Sequence, residues 1–167
     1  MSTHRGIVYA KQGAAASQPL AVSAAIEVLK ADGSFIDAGI ALSAVISVVE
    51  PGASGLGGDV FLITHNAKNR ENLAFNGSGE APHLANRSAF GDEIPLTGYK
   101  AATVPGLVSG WFAAHEKFGK LSISEILKPA IEYAENGFPA SEDFIRRING
   151  HKKERPNTEL FKQLGID

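Results

Sequence analysis

Apolar positions recur along this chain in two rhythms, one helical and one of strands. Leu20, Ala24, Ala25, Val28 and Leu29 fall at helical spacing, with Ser23, Glu27 and Lys30 mostly off that stripe, so a helix is expected from about residue 19 to 32. Ser17 or Gln18 sits near its cap, Pro19 suits its first turn and Gly33 ends it. Ser34 then caps a second helix over 35–49. Ile36, Ala38, Ile40, Leu42, Val45, Ile46, Val48 and Val49 leave that helix no polar face, which places it in an interior. Asp37 is its notable polar residue, read as a first-turn carboxylate favoured by the helix dipole.

A loop with four glycines (Gly52, Gly55, Gly57, Gly58) follows, and glycines of this kind serve either close backbone packing or ligand contact. Residues 60–64 are apolar on both faces, the pattern of a central strand covered on two sides. Residues 66–69 read as a hairpin turn and 72–76 as the returning strand, which ends in a second glycine-rich corner, Gly77-Ser78-Gly79-Glu80-Ala81-Pro82. A short strand is expected at 6–10, and 84–102 reads as irregular. A third helix covers 107–118, with Val108, Trp111, Phe112 and His115 near one face, and Gly119 stops it. Ser122 or Ser124 caps a fourth over 125–135, with Pro129 in its first turn or so, and Asn136-Gly137 stops it. A fifth spans 142–153, charged at its end, and the tail is helical around 158–164. Two or three strands make a poor sheet for so many helices. The 167 residues are therefore expected to form a single incomplete domain of α/β (α+β) class, mostly helices plus a few central strands, whose sheet another chain or further sequence completes.

Composition narrows the chemistry. A 44% apolar and 20% charged chain is ordinary for a globular protein. A net charge of −2 gives no electrostatic case for nucleic acid or an anionic membrane. The absence of cysteine excludes disulfides, thiolate metal sites and a cysteine nucleophile. The first residues show no secretory pattern and the longest apolar run, about 36–49, is shorter than the roughly 20 residues of a membrane span. A cytoplasmic location is expected.

The familiar site motifs fail. Gly55-Leu56-Gly57-Gly58-Asp59-Val60 has Val60 where a dinucleotide fingerprint needs glycine, and it lies between a helix and a strand, the reverse order. No phosphate-binding loop or G-x-S-x-G elbow occurs. His4, His65, His83, His115 and His151 lack metal-ligand spacing, so no metal and no cofactor is expected. Arg146-Arg147 and Lys152-Lys153 read as the solvated face of one helix. Removal of Met1 would expose Ser2, and an N-terminal serine can act as a nucleophile with its own amine as base. No strand begins there to hold it, which makes a self-sufficient hydrolase using Ser2 the weakest of the readings.

Several spaced motifs together resemble one family. Ser-Gln-Pro-Leu-Ala at 17–21, Asp37-Ala38, Val-Glu-Pro at 49–51, Ser-Gly-Leu-Gly-Gly at 54–58 and the strand at 60–63 look like the start of a γ-glutamyltransferase. Val-Pro-Gly at 104–106, Gly110-Trp111, the stretch from His115 to Gly119, residues 127–130 and Gly-Phe-Pro at 137–139 agree in order, so the likeness covers about residues 6–148.

The resemblance implies an N-terminal-nucleophile hydrolase with a four-layer αββα sandwich, made as a precursor that cleaves itself into a large and a small subunit. A threonine at the new N-terminus attacks a γ-glutamyl amide, and water or an amino acid takes the acyl group. Two backbone amides in a small-subunit glycine pair hold the oxyanion. No position of this chain matches that catalytic equipment. It resembles the N-terminal part of a large subunit, so the implied partners are the rest of that subunit, the small subunit bearing the nucleophile, and a small γ-glutamyl or other acyl-amide substrate. A truncation, a fragment or a split gene would each produce such a chain.

The implied substrate-binding residues are Ser78, Gly79 and Glu80. Transferases of the family carry Asp-Gly-Arg-Glu-Thr-Ala-Pro after the second strand, and its arginine grips the donor's α-carboxylate. This chain reads Asn-Gly-Ser-Gly-Glu-Ala-Pro at 76–82, closer to the acylase-like branch with Asn-Gly-Ser-Gly-Arg-Ala-Pro. Ser78 takes the arginine's place and cannot supply a charged bidentate grip. Glu80 takes the acylase arginine's place and repels a carboxylate if it faces the pocket. A corner turn facing solvent is the competing role for both. The alternative for the whole chain is a non-catalytic binding module that keeps the large-subunit framework.

Overall fold

The computed structural model describes residues 9–96 and 98–154. Ser2, the expected helix at 158–164 and most of the expected strand at 6–10 lie outside them; Tyr9 and Ala10 are exposed and in no strand.

Helix α1 runs Pro19–Lys30 and helix α2 Phe35–Val49. Gln18 rather than Ser17 caps α1: its side-chain oxygen accepts the Leu20 N–H at 3.0 Å. The Ser17 hydroxyl donates instead to Glu50 at 2.9 Å, tying the start of α1 to the end of α2. At the far end Asp32 takes φ 63°, and the Asp32 and Gly33 N–H groups close back on the Leu29 and Val28 carbonyls, the helix stop usually built on glycine. A Cβ on Gly33 would sit 2.6 Å from Val28 Cγ1, so the residue after that stop has to be glycine.

α2 begins with a capping box between Ser34 and Asp37 and lies at the centre. Ile36, Ile40, Val45 and Val49 are buried, and α1, helix α4 (Leu107–Phe118) and helix α5 (Ile123–Asn136) pack around it. Burying each such side chain stabilises by roughly 1.5–3 kcal/mol, which makes α2 the main source of the core.

Strands β1 (Val60–Asn66) and β2 (Glu71–Gly77) form an antiparallel ribbon in register from Val60 opposite Gly77 to Asn66 opposite Glu71. The Asn66 and Asn69 side chains accept the Lys68 and Glu71 N–H groups across its turn. Val60, Leu62 and Phe75 pack on the core, and Phe118 meets the Phe75 and Phe35 rings at 6.2 and 5.8 Å. Among the described residues of this chain the strand is covered on one side only: Phe61 and Ile63 are 71% and 83% exposed. α4 lies against one face, and no described residue covers the other.

The remaining helices are placed as expected, with three corrections. In α4 the buried face is Leu107, Gly110, Trp111 and Ala114, whereas Val108 and Phe112 point outward. Pro129 sits inside α5, in its second turn, where the helix forgoes one backbone hydrogen bond. The segment expected to be irregular holds a short helix α3, Arg87–Phe90, capped by Asn86, and a 3₁₀ turn, Tyr99–Ala101. Helix α6 runs Glu142–Glu154, and Arg146 and Arg147 both pair with Asp143 on its exposed side. The fold is α+β and mostly helical, with six helices and two antiparallel strands among the described residues.

Candidate active-site corner

The end of β2, the head of β1 and the start of α4 meet at one place because glycines let their backbones touch. A Cβ on Gly77 would lie 2.6 Å from Val60 Cγ1 and 3.1 Å from the Gly110 Cα, so α4 lies directly on the β2 backbone. Gly106, the residue before α4, has no side chain to cap the helix. The Gly58 carbonyl does so, accepting the Gly106 and Leu107 N–H groups at 3.0 and 2.8 Å.

The predicted binding residues sit on this junction. The Asn76 side chain accepts the Ser78 N–H at 3.0 Å, and Asp59 Oδ1 accepts the Gly79 N–H at 2.8 Å. Asp59 Oδ1 also lies 3.5 Å from the Thr103 hydroxyl, and the Glu80 carbonyl accepts the Val104 N–H at 3.2 Å. A Cβ on Gly79 would run into the Val104 carbonyl. Ser78 and Glu80 are exposed, and with Gly79 they form one wall of a cavity of about 350 Å³ whose other wall is Pro105, Gly106 and Ser109. The Ser109 hydroxyl donates to the Gly106 carbonyl at 2.8 Å.

Of the described lining residues, Glu80 brings a carboxylate, His83 is the one able to gain a positive charge, and none is lysine or arginine. Beside the cavity, sharing Ala81 and Pro82 with it, opens a mostly apolar hollow of about 850 Å³ along the 81–103 segment, bordered by Leu84, Phe90, Ile94 and Lys100.

Ser78, Gly79 and Glu80 are thus brought together, while Asp59, Thr103 and Ser109 were not singled out by the sequence reading. Only Asp59 carried a usable signal, as a carboxylate between a glycine loop and an apolar strand. The first glycine loop is looser than the second corner. Nothing lies within 4 Å of a Cβ built on Gly55 or Gly57, one built on Gly58 would be 3.1 Å from the Gly55 carbonyl, and Gly52 takes a positive φ of 89°. Among the other histidines, His115 Nε2 bonds the Leu121 carbonyl and His65 Nδ1 the Asn72 side chain, both at 2.8 Å.

The family model described as Gamma-glutamyltranspeptidase matches residues 21–163. The glutathione hydrolase-like YwrD proenzyme of Bacillus subtilis is 37% identical over 146 residues, 86% of this chain but 28% of the relative. The cephalosporin acylase of Bacillus halodurans superposes with a TM-score of 0.87 at 32% identity, over 97% of this chain and 32% of the solved one. The γ-glutamyltranspeptidase of Helicobacter pylori superposes at 0.85 and 33% identity, over 95% and 47%. The chain therefore spans little more than a quarter of the length of the curated relative it matches. Over that part the ordered motifs, the fold and the family model agree, and the chain belongs to the γ-glutamyltranspeptidase family.

Proposed function

We propose that this chain is the N-terminal portion of an acyltransferase or amidohydrolase. The reaction forms an acyl-enzyme on a threonine outside residues 1–167 and passes the acyl group to water or an amino acid. The family match over residues 21–163 carries the reading. The corner of Ser78, Gly79 and Glu80 is the part of the donor site this chain contributes, and the catalytic threonine and oxyanion donors belong to the small subunit. The rest of the large subunit and the small subunit are its partners. The uncovered ribbon face with Phe61 and Ile63 supports this, since an apolar sheet face of that kind needs a second layer.

The test is reconstitution. The chain alone gives no turnover of an acyl anilide. Together with a polypeptide carrying the remaining family sequence it gives turnover, with an acyl adduct on threonine seen by mass spectrometry. Turnover by the chain alone, lost in Ser2→Ala, overturns the proposal. Tight association without any turnover or adduct favours the non-catalytic binding module instead.

A further inference from the structure

The corner has an electrostatic character that narrows the substrate, provided the cavity is the acyl-donor site proposed above. Asp59 donates no side chain to the cavity wall, yet it clasps the middle of that wall through the Gly79 N–H at 2.8 Å. Gly79 has no freedom to shift toward α4, because the Val104 carbonyl occupies the space a Cβ would need. The Asp59 carboxylate therefore holds the residue between Ser78 and Glu80, and its charge lies one residue from each. Glu80 puts one carboxylate in the lining and Asp59 a second behind it, at a cavity whose described lining residues include His83 but no lysine or arginine. The hollow that continues past Ala81 and Pro82 is mostly apolar.

We infer that Asp59 is the specificity-setting residue of this corner. With Glu80 it restricts the donor to amides whose acyl group carries no carboxylate where it meets Ser78, that is, neutral or amine-bearing acyl groups. A carboxylate there meets two like charges, with His83 the one described lining residue able to oppose them, while a neutral acyl group keeps the continuation available, whose apolar lining also carries Arg87 and Lys100.

The chain has no cysteine, so Ser78→Cys places a single thiol on the cavity wall. Its reaction rates with cationic, neutral and anionic methanethiosulfonates, each divided by the rate with a free small thiol, read the local field. The expected result is a cation-over-anion preference of about fivefold or more at low salt. That preference collapses when Asp59→Asn and Glu80→Gln are added, with circular dichroism and melting temperature unchanged. Asp59→Asn keeps an acceptor for the Gly79 N–H and removes the charge, which separates charge from folding. A ratio near that of the free thiol, or one that survives the double substitution, overturns the inference. In the reconstituted enzyme, faster turnover of a glutaryl or γ-glutamyl anilide than of a neutral acyl anilide also overturns it, while leaving the acyl-transfer proposal standing. A charge preference in an assembly with no turnover at all counts against the acyl-transfer proposal, and with it against the assignment of a donor.

Discussion

Asp37 reaches across 84 residues of sequence to take the backbone N–H of Leu121 at 3.1 Å. The same oxygen accepts the Lys120 N–H at 3.0 Å and the Ser34 N–H at 2.8 Å. A fully buried carboxylate is costly unless hydrogen bonds replace its water; three backbone donors do so at Oδ2, while Oδ1 has no hydrogen-bond partner among the described residues and lies 3.8 Å from His115 Nε2. One side chain therefore caps α2 and pins the link between α4 and α5 onto it. The sequence reading of Asp37 as a first-turn carboxylate holds for the cap and misses the link.

Replacing Asp37 by alanine leaves the buried Ser34 N–H and the part-buried Lys120 and Leu121 N–H groups without this acceptor, and the expected loss is roughly 3 kcal/mol. Asp37→Asn keeps an acceptor and is expected to lose less. Urea denaturation of the three chains gives the order directly, and equal midpoints for wild type and alanine would refute the role.

The elements that were legible in the sequence are those whose signals are local. The serine caps at Ser34 and Ser122, and the stops at Gly33, Gly119 and Gly137, fixed the helices to within a few residues. The face of α4 was not legible, because hydrophobic periodicity counts side chains. α4 meets the sheet through Gly110, which has none, so Val108 and Phe112 drew attention to the wrong side. Asp59 escaped for a related reason: its partner lies 20 residues away, and the pairing exists only once the register of β1 on β2 is set.

Gly79→Ala is expected to open the corner, since the new methyl collides with the Val104 carbonyl, and to destabilise by about 2–3 kcal/mol. Gly57→Ala, with nothing within 4 Å and no positive φ, is expected to stay within about 0.5 kcal/mol of wild type. Thermal melts of the pair separate the tight glycine corner from the loose one.

The capping box of α5 gives a pH signature. The Ser122 hydroxyl and N–H bond the Glu125 carboxylate at 2.5 and 3.0 Å and hold its pKa below the ordinary 4.5. A lowered carboxylate pKa contributes stability above the unfolded value, and the contribution is lost as pH falls through the folded value. The wild-type melting temperature is therefore expected to fall more steeply below about pH 4.5 than that of Glu125→Gln, and the two curves to run parallel above it. Parallel curves throughout would remove Glu125 from the account.

The bare face of the ribbon gives the last prediction. Phe61 and Ile63 stand on the side that α4 does not cover, so their removal leaves the core intact. Replacing both by threonine keeps a strand-favouring branched residue at each position and is expected to change stability by less than about 1 kcal/mol. The wild-type chain, isolated, is expected to bind a hydrophobic dye or self-associate through this face, and the double variant to do so much less, as read by fluorescence and light scattering. In reconstitution the order reverses: the same variant is expected to lose association with the rest of the protein. A variant that remains sticky alone, or still assembles normally, would show that the partner docks elsewhere.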